Sequence, residues 1–232
     1  MSAQLLAALP VTAIFAALAY ALGMVSRNGA LGGVFVGTLI FACLGPQGIA
    51  ILALFVVGGS MLTRLGYGRK SRSGTAQEGG GRRGAKNALA NCSVAVACAL
   101  LAAMTSSSVF AIAFVASLGA AFADTAESEA GQLSRARPRL ITTLRRVPPG
   151  TDGAISLPGT LAGVSAAILT AALGYALGLV GSVGEAVLVA LAAFLGTVAD
   201  SIIGARFPRV GNEVTNLLCT LTAAALTLLL AS

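Results

Sequence analysis

Two long stretches without a charged residue constrain this chain more than any other feature. Residues 28–63 form a run of 36 uncharged residues, and residues 87–123 form another of 37. A helix needs about 20 apolar residues to cross a bilayer, so each run is long enough for two crossings and a turn. Turn-forming sequences stand near the middle of each run, at Gly45-Pro46-Gln47 and from Thr105 to Ser108. The pattern predicts membrane-spanning helices arranged in pairs.

The composition agrees with a membrane protein and narrows the chemistry. Hydrophobic residues make up 56% of the chain and charged residues only 10%, whereas soluble domains carry roughly a quarter charged residues. The chain has no histidine, which excludes Ser-His-Asp triads and histidine-ligated metals. Its four cysteines lie in apolar stretches without a CxxC spacing and are predicted to be buried hydrophobic residues. Acid–base or metal chemistry therefore depends on eight carboxylates.

Extending the argument to the whole chain predicts an all-α, polytopic membrane helical bundle with about eight transmembrane helices. Backbone that faces lipid must satisfy its own hydrogen bonds, so the crossings are expected to be helical. A single membrane domain is expected over residues 1–232. The predicted spans lie near residues 5–25, 30–45, 48–64, 87–104, 108–124, 157–180, 184–204 and 212–231.

The positions of the basic residues test this count. All 15 fall in four alternate connections, which place them on one face of the bundle: Arg27; Arg64, Arg69, Lys70, Arg72, Arg82, Arg83 and Lys86; Arg135, Arg137, Arg139, Arg145 and Arg146; Arg206 and Arg209. The positive-inside rule makes that face cytoplasmic and both termini non-cytoplasmic. We expect an inner (cytoplasmic) membrane protein with cytoplasmic loops 65–86 and 125–156. The centre of loop 65–86 is rich in glycine and serine and is predicted to be a flexible linker.

Acidic residues mark the first candidate site. Asp124, Glu127 and Glu129 directly follow the second uncharged run, and Asp200 follows 14 uncharged residues at the same predicted rim. Clustered carboxylates repel one another unless a cation lies between them, and Mg²⁺ or Mn²⁺ with phosphate suits such oxygen ligands. In a helix Glu127 shares a face with Asp124, so Glu129 could join them only if the helix breaks. The alternative is a solvated helix end with acids paired to arginines, Asp200 to Arg206.

Basic and small residues mark candidate phosphate contacts on the same face. Arginine forks bind phosphate oxygens, and glycine lets backbone N–H groups approach an anion. The simpler alternative is a topogenic basic loop that touches anionic lipid. Gly29, Gly33 and Gly37 form a stripe that is predicted to serve helix packing. The candidates for phosphate binding are Arg82, Arg83, Lys86, Asn91, Arg145, Arg146 and Gly150.

Four segments resemble one integral-membrane family. Residues 123–131 resemble its motif Ala-Asp-Thr-x-x-Ser-Glu-x-Gly, and residues 141–153 give a longer match, Ile-Thr-Thr-Leu-Arg-Arg-Val-Pro-Pro-Gly-Thr-Asp-Gly. Residues 200–205 and 89–91 agree as well. The family includes the plant and cyanobacterial phytyl-phosphate kinase and the animal transmembrane protein nineteen. The matching segments add Ser128, Thr142, Thr143 and Thr151 to the candidates for nucleotide or phosphate binding. Asn216 is a further candidate, because Asn212 and Asn216 repeat in the last span the spacing of Asn87 and Asn91; the alternative is hydrogen bonding between helices.

The resemblance implies a kinase that adds a second phosphate to an isoprenoid monophosphate. Its product would be phytyl or geranylgeranyl diphosphate, used in tocopherol, quinone or lipid synthesis, with CTP or another nucleoside triphosphate as donor and a divalent metal. Asp124, Ser128 and Glu129 match the family motif, so the resemblance favours Glu129 over Glu127 as the partner of Asp124. The implied catalytic and metal-binding residues are Asp124, Glu129 and Asp200.

The expected function is therefore a metal-dependent prenyl-phosphate kinase. Its expected partners are a prenyl-phosphate lipid, a nucleoside triphosphate and membrane lipid, without nucleic acid; monomer and homodimer remain open. One alternative is a cytidylyltransferase that joins CTP to a lipid phosphate and releases pyrophosphate. Another is a lipid or small-molecule transporter, which predicts carboxylates near the bilayer midplane, whereas these acids stand at one rim.

Overall fold

A computed structural model describes residues 2–134 and 136–231, so Arg135 lies outside the described residues. Within these ranges the chain forms nine helices and one small sheet. The helices are α1 (Ser2–Ala21), α2 (Arg27–Arg64), α3 (Tyr67–Arg72), α4 (Glu78–Gly81), α5 (Ala85–Thr105), α6 (Ser108–Gln132), α7 (Leu157–Ala176), α8 (Val183–Arg206) and α9 (Asn212–Leu230). Six of them, α2 and α5 to α9, are long and apolar enough to cross a membrane. The predicted class, a polytopic helical membrane protein, is confirmed.

Helix α2 is interrupted at the predicted turn. Its 38 residues would extend about 57 Å if straight, well beyond a hydrocarbon core of about 30 Å. Gly45 has non-helical dihedral angles, φ 64° and ψ −155°, and Pro46 follows it. A Cβ atom built on Gly48 would lie 2.8 Å from Cγ2 of Ile40, although eight residues of straight helix span about 12 Å. The two halves of α2 therefore fold back on each other.

Helix α6 lies at the centre of the bundle and packs against α2, α5, α7, α8 and α9. Its apolar side chains, such as Phe114 and Leu118, are fully buried. Small residues bring its neighbours close: a Cβ atom on Gly119 would lie 3.3 Å from that of Ala193 in α8. The end of this span that is predicted to face the cytoplasm is therefore surrounded by other helices.

Helix α6 also continues further than predicted. The span was expected to end near residue 124 and the loop to begin at 125, but the helix runs on to Gln132. Half of residues 125–132 are alanine or glutamate, which favour helix, and no proline interrupts them. Asp124, Glu127 and Glu129 thus belong to one continuous helix. The span predicted near 157–180 is shorter, ending with α7 at Ala176.

Both long connections contain secondary structure. The linker expected to be flexible contains the short helices α3 and α4. The connection after α6 contains strands β1 (Arg139–Leu140) and β2 (Ala154–Ile155), which pair antiparallel and bring its two ends together. Both connections fold against the same end of the bundle, where they border the site described next.

Candidate functional site

A polar cavity of about 990 Å³ opens at one end of the bundle. It is enclosed by the connection 73–87, the last turns of α6 at 124–132, residues 149–156 before α7, and the α8–α9 corner at 200–216. The fourth basic connection, which contains Arg27, lies at the same end of the bundle. The backbone N–H of Ser26, next to Arg27, donates to the carbonyl of Arg83 at 3.0 Å. All four basic connections therefore meet at the same end.

Asp124 of α6 and Asp200 of α8 face this cavity from adjacent helices. Both are half-buried, and the charge of Asp200 acts on Asp124, with Glu127 close enough to act on both. Oδ1 of Asp200 is buried and accepts no hydrogen bond from any residue that the structure describes. The predicted alternative, an ion pair between Asp200 and Arg206, is not formed among these residues. A partly dry acidic pair of this kind favours a cation between its members.

Glu129 lines the same cavity, but it is paired with a buried lysine. Its Oε2 accepts from Nζ of Lys70 at 2.5 Å, and this is the one ion pair within residues 2–134 and 136–231. The Lys70 side chain is fully buried, and its ammonium also donates to the carbonyl oxygens of Leu62, at 3.0 Å, and Thr63, at 2.7 Å. All three ammonium donors are thus used. Lys70 fastens α3 to the last turn of α2 and to α6.

The predicted three-acid arrangement of Asp124, Glu129 and Asp200 is not observed. Because α6 does not break, Glu129 stays turned away from Asp124, and Glu127 is the acid on the same side. Glu127 in turn accepts from Oγ1 of Thr160 at 3.2 Å. No group of three or more acidic or cysteine side chains in the described ranges could hold a metal ion. Mg²⁺ commonly takes one or two carboxylates and completes its shell with phosphate and water, so Asp124, Asp200 and a bound phosphate fit its needs.

Arg83 is the basic residue most tightly held at the cavity. Its Nη2 donates to Oγ1 of Thr125 at 3.2 Å, and its Nη1 to Oδ1 of Asn87 at 3.5 Å. Its guanidinium carbon lies 5.4 Å from the ring centroid of Phe55, a cation–π distance. Burial lowers the pKa of Arg83 from its ordinary value, and the charges of Glu129 and Asp124 oppose this effect. Arginine remains protonated in proteins, so a positive charge stands beside the acids.

The backbone around Arg83 is fixed as firmly as its side chain. Val25 and Arg83 form a parallel β-bridge, and the N–H of Arg83 donates to the carbonyl of Met24 at 3.2 Å. A Cβ atom on Gly29, in the first turn of α2, would lie 2.1 Å from the Arg83 carbonyl oxygen. Only glycine allows that approach. Gly29 thus serves close packing, as predicted for the stripe; Gly37 lies against Thr12, whereas Gly33 has nothing within 4 Å.

The other predicted phosphate contacts divide into two groups. Those that line the cavity are Arg82, Lys86, Ser128, Gly150, Thr151 and Asn216. Those that do not line it are Asn91, Thr142, Thr143, Arg145 and Arg146. Asn91 is buried further along α5, where its side chain donates to the Asn87 carbonyl at 2.9 Å. The other four are exposed, because a turn closed by the Leu144 N–H to the Leu140 carbonyl at 2.8 Å carries them away from the bundle.

Residues 148–153 pack closely against α8 beside Asp200. Gly153 has φ +72°, and a Cβ atom there would lie 2.3 Å from the Ser201 carbonyl oxygen. The Oγ1 of Thr151 donates to the Pro148 carbonyl at 2.8 Å and closes the turn. This close approach places Thr151 and Asp152 on the wall of the cavity.

Three residues of the site escaped sequence reasoning. Thr125 and Phe55 hold the Arg83 guanidinium, and Lys70 neutralises Glu129. Thr125 adjoins Asp124 and could have been proposed from that neighbourhood. The roles of Phe55 and Lys70 arise from contacts between distant segments, and nothing in their local sequence distinguishes them from other apolar or loop residues.

Fold and site together define a polytopic helical membrane protein with an acidic pair and a half-buried arginine at one end of its bundle. The chain belongs to the family described as Integral membrane protein DUF92, which matches residues 10–224. The predicted resemblance to the membrane family that includes phytyl-phosphate kinase is thereby confirmed.

Relatives from three lineages align with most of the chain. An uncharacterized membrane protein of Synechocystis sp. is 40% identical over 82% of this chain and 76% of its own length. An uncharacterized membrane protein of Methanocaldococcus jannaschii is 35% identical over 84% of this chain and 81% of its own. Protein VTE6, chloroplastic, of Arabidopsis thaliana is 33% identical over 78% of this chain, and the match spans 56% of the plant protein. No solved structure matches the chain.

Proposed function

We propose that this protein is a membrane-bound prenyl-phosphate kinase. It transfers the γ-phosphoryl group of CTP, or of another nucleoside triphosphate, to an isoprenoid monophosphate such as phytyl or geranylgeranyl phosphate. The observation that carries the proposal is the cavity that joins the acidic pair Asp124 and Asp200 to Arg83 at the end of an apolar bundle. Such a site suits an anionic headgroup on a hydrophobic tail. Similarity to the chloroplast protein VTE6 supports the same substrate class.

In this proposal, different residues of the cavity bind the metal and the phosphate groups. Asp124 and Asp200 are the residues that would hold Mg²⁺ or Mn²⁺, which supplies neutralisation of the charge on the transferred group. Arg83 holds a phosphate from the inner wall, and Arg82 and Lys86, exposed at the rim, hold the donor phosphates. Gly150 offers a backbone N–H on the opposite side, in the turn that the Thr151 hydroxyl closes by donating to the Pro148 carbonyl.

The acceptor does not require a general base. An oxygen of the prenyl monophosphate is already anionic; it forms a bond to the γ-phosphorus while the bond between that phosphorus and the β,γ-bridging oxygen breaks. The nucleoside diphosphate leaves with both electrons of that bond, so no proton needs to be removed from the attacking oxygen. This agrees with a chain that contains no histidine.

We also propose eight crossings, with both termini outside and the cavity on the cytoplasmic side of the inner membrane. The two halves of α2 supply two crossings, α1 one, and α5 to α9 the other five. All four basic connections then lie together, as the positive-inside rule requires.

Product analysis tests the reaction directly. The purified protein should convert CTP and geranylgeranyl or phytyl phosphate, with Mg²⁺, into equal amounts of CDP and prenyl diphosphate. Release of pyrophosphate with a CMP-linked lipid would instead identify a cytidylyltransferase. If no diphosphate forms with any of the common nucleoside triphosphates or with tails of several lengths, the kinase proposal is wrong. Substrate flux into liposomes without nucleotide would indicate a transporter.

A further inference from the structure

An apolar groove of about 280 Å³ lies beside the polar cavity. Its walls are α1 from Thr12 to Leu22, both halves of α2 (residues 29–37 and 49–57) and the start of α5. The polar side chains among its lining residues are Thr12 at one end and Arg83 with Asn87 at the other. The groove is therefore an apolar channel that ends at a cation.

The groove and the polar cavity share one boundary. Arg83, Gly84 and Asn87 line both of them. The Arg83 guanidinium rests on the ring of Phe55, which lines the groove, while it donates to Thr125, which lines the cavity. Its Nε is buried and has no hydrogen-bond partner among the residues described. A buried N–H donor without a partner is costly, and a phosphate oxygen arriving at this boundary would supply one.

We propose that this groove binds the prenyl tail of the acceptor and that Arg83 binds the acceptor phosphate where groove and cavity meet. The inference rests on the proposed kinase function and adds to it the path of the substrate. An isoprenoid monophosphate has a single apolar chain and one dianionic head, which matches one apolar channel that ends at one arginine.

The groove is open along part of its length. Thr12 to Leu22 spans about 15 Å along α1, and the lining residues Phe15, Leu18 and Leu22 remain more than half exposed. A bound tail would therefore contact protein on one side and lipid along the exposed side chains of α1. A diacyl lipid phosphate carries two chains and does not fit a single channel.

Gly33 is a position from which a side chain can enter the groove without a clash at its Cβ atom. It lines the groove, and a Cβ atom there meets nothing within 4 Å. It lies one helical turn beyond Gly29, which contacts Arg83. We expect Gly33→Phe to raise KM for geranylgeranyl phosphate about tenfold or more, while isopentenyl phosphate, whose tail ends before Gly33, is used as before. Leu31 lies on the same helix and is 71% exposed. Leu31→Phe is therefore the matched control and should leave both KM values unchanged.

Direct binding can be followed without nucleotide because the chain contains no tryptophan. Phe15→Trp puts a single fluorophore in the groove, and Leu31→Trp puts one on the outer face of α2. Geranylgeranyl phosphate should change the Phe15→Trp signal saturably and leave Leu31→Trp unaffected. Geranylgeraniol should bind at least about tenfold more weakly, because it lacks the charge-assisted contact to Arg83; Arg83→Leu should abolish that difference.

The possible results separate this inference from the kinase proposal. Saturable binding in the groove without phosphoryl transfer from any nucleotide would support the groove and overturn the kinase. Diphosphate formation by Phe15→Trp without a fluorescence change, and with the same chain-length dependence in Gly33→Phe, would overturn the groove and leave the kinase standing. Tighter binding of phosphatidic acid than of geranylgeranyl phosphate would overturn the prenyl occupant. So would the absence of any saturable signal.

Discussion

At the scale of single residues, Lys70 is the side chain whose loss we expect to cost most stability. Lys70→Met would leave Glu129 buried without its counter-charge and free the carbonyls of Leu62 and Thr63. We expect the free energy of unfolding to fall by about 3–5 kcal/mol, measured by denaturant unfolding in detergent. Arg69→Met, an exposed position in the same short helix, should change it by less than about 0.5 kcal/mol.

The double variant Lys70→Met/Glu129→Gln separates the two roles that have been assigned to Glu129. Removing both charges should restore at least half of the lost stability, because no buried charge is left unpaired. If Glu129 only neutralises Lys70, the restored protein should also regain phosphoryl transfer. A stable but inactive double variant would contradict that role and support the predicted contact of Glu129 with the metal.

Substitution of the acidic pair, Asp124 and Asp200, gives the most specific prediction about kcat. Asp124→Asn and Asp200→Asn should each lower kcat by at least about a hundredfold, since each removes a charge that faces the cavity. Neither should lower the unfolding midpoint, because repulsion between the two carboxylates is relieved. Glu185→Gln, at the other end of α8 and accepting from the Gly181 N–H at 2.7 Å, is the control and should keep full activity. Full activity in both aspartate variants would refute the metal role.

Sequence reasoning reached the residues that stand out against an uncharged background. Asp124 and Asp200 each follow a long run without charge, and both line the cavity. It missed Lys70 because one lysine among seven basic loop residues carries no local signal of burial. It did not foresee that Glu129 pairs with Lys70, since a motif match does not reveal which face of a helix a residue occupies; its contact with a metal stays a prediction.

At the scale of helices, the contact between α2 and the Arg83 backbone predicts opposite outcomes for two glycines four residues apart. Gly29→Ala would force a Cβ atom to within 2.1 Å of the Arg83 carbonyl oxygen, so it should lower thermal stability and weaken phosphate binding together. Gly33→Ala meets open space and should be neutral or raise stability by about 0.5–1 kcal/mol, since alanine is the better helix former. Thermal unfolding of both variants measures the difference. Equal effects would show that the contact does not exist.

Charge-free runs and turn residues predicted where most helices begin and end. The break in α2 at Gly45 and the turn after Thr105 were both marked by glycine, proline or serine. The first charged residue after a span does not predict the continuation of α6 to Gln132, because a helix can continue beyond the membrane edge. Charge marks the position of the bilayer and says little about backbone conformation.

At the scale of the whole molecule, the positions of the basic connections predict the topology. After replacement of the four native cysteines, Ser73→Cys should react with an impermeant thiol reagent only from the cytoplasmic side. Gln47→Cys, in the exposed turn within α2, should react only from the opposite side. Labelling in right-side-out and inverted vesicles measures both. Reaction of the two positions from the same side would rule out eight crossings.

The apolar groove and the acidic pair of the polar cavity come from separate parts of the chain. All lining residues of the groove precede residue 93, whereas Asp124 and Asp200 come after residue 123. The proposed binding site for the tail and the aspartates proposed to hold the metal are therefore encoded in separate pieces of sequence. A chimaera that takes its first 57 residues from a relative with a different chain-length preference should acquire that preference and retain its own donor nucleotide.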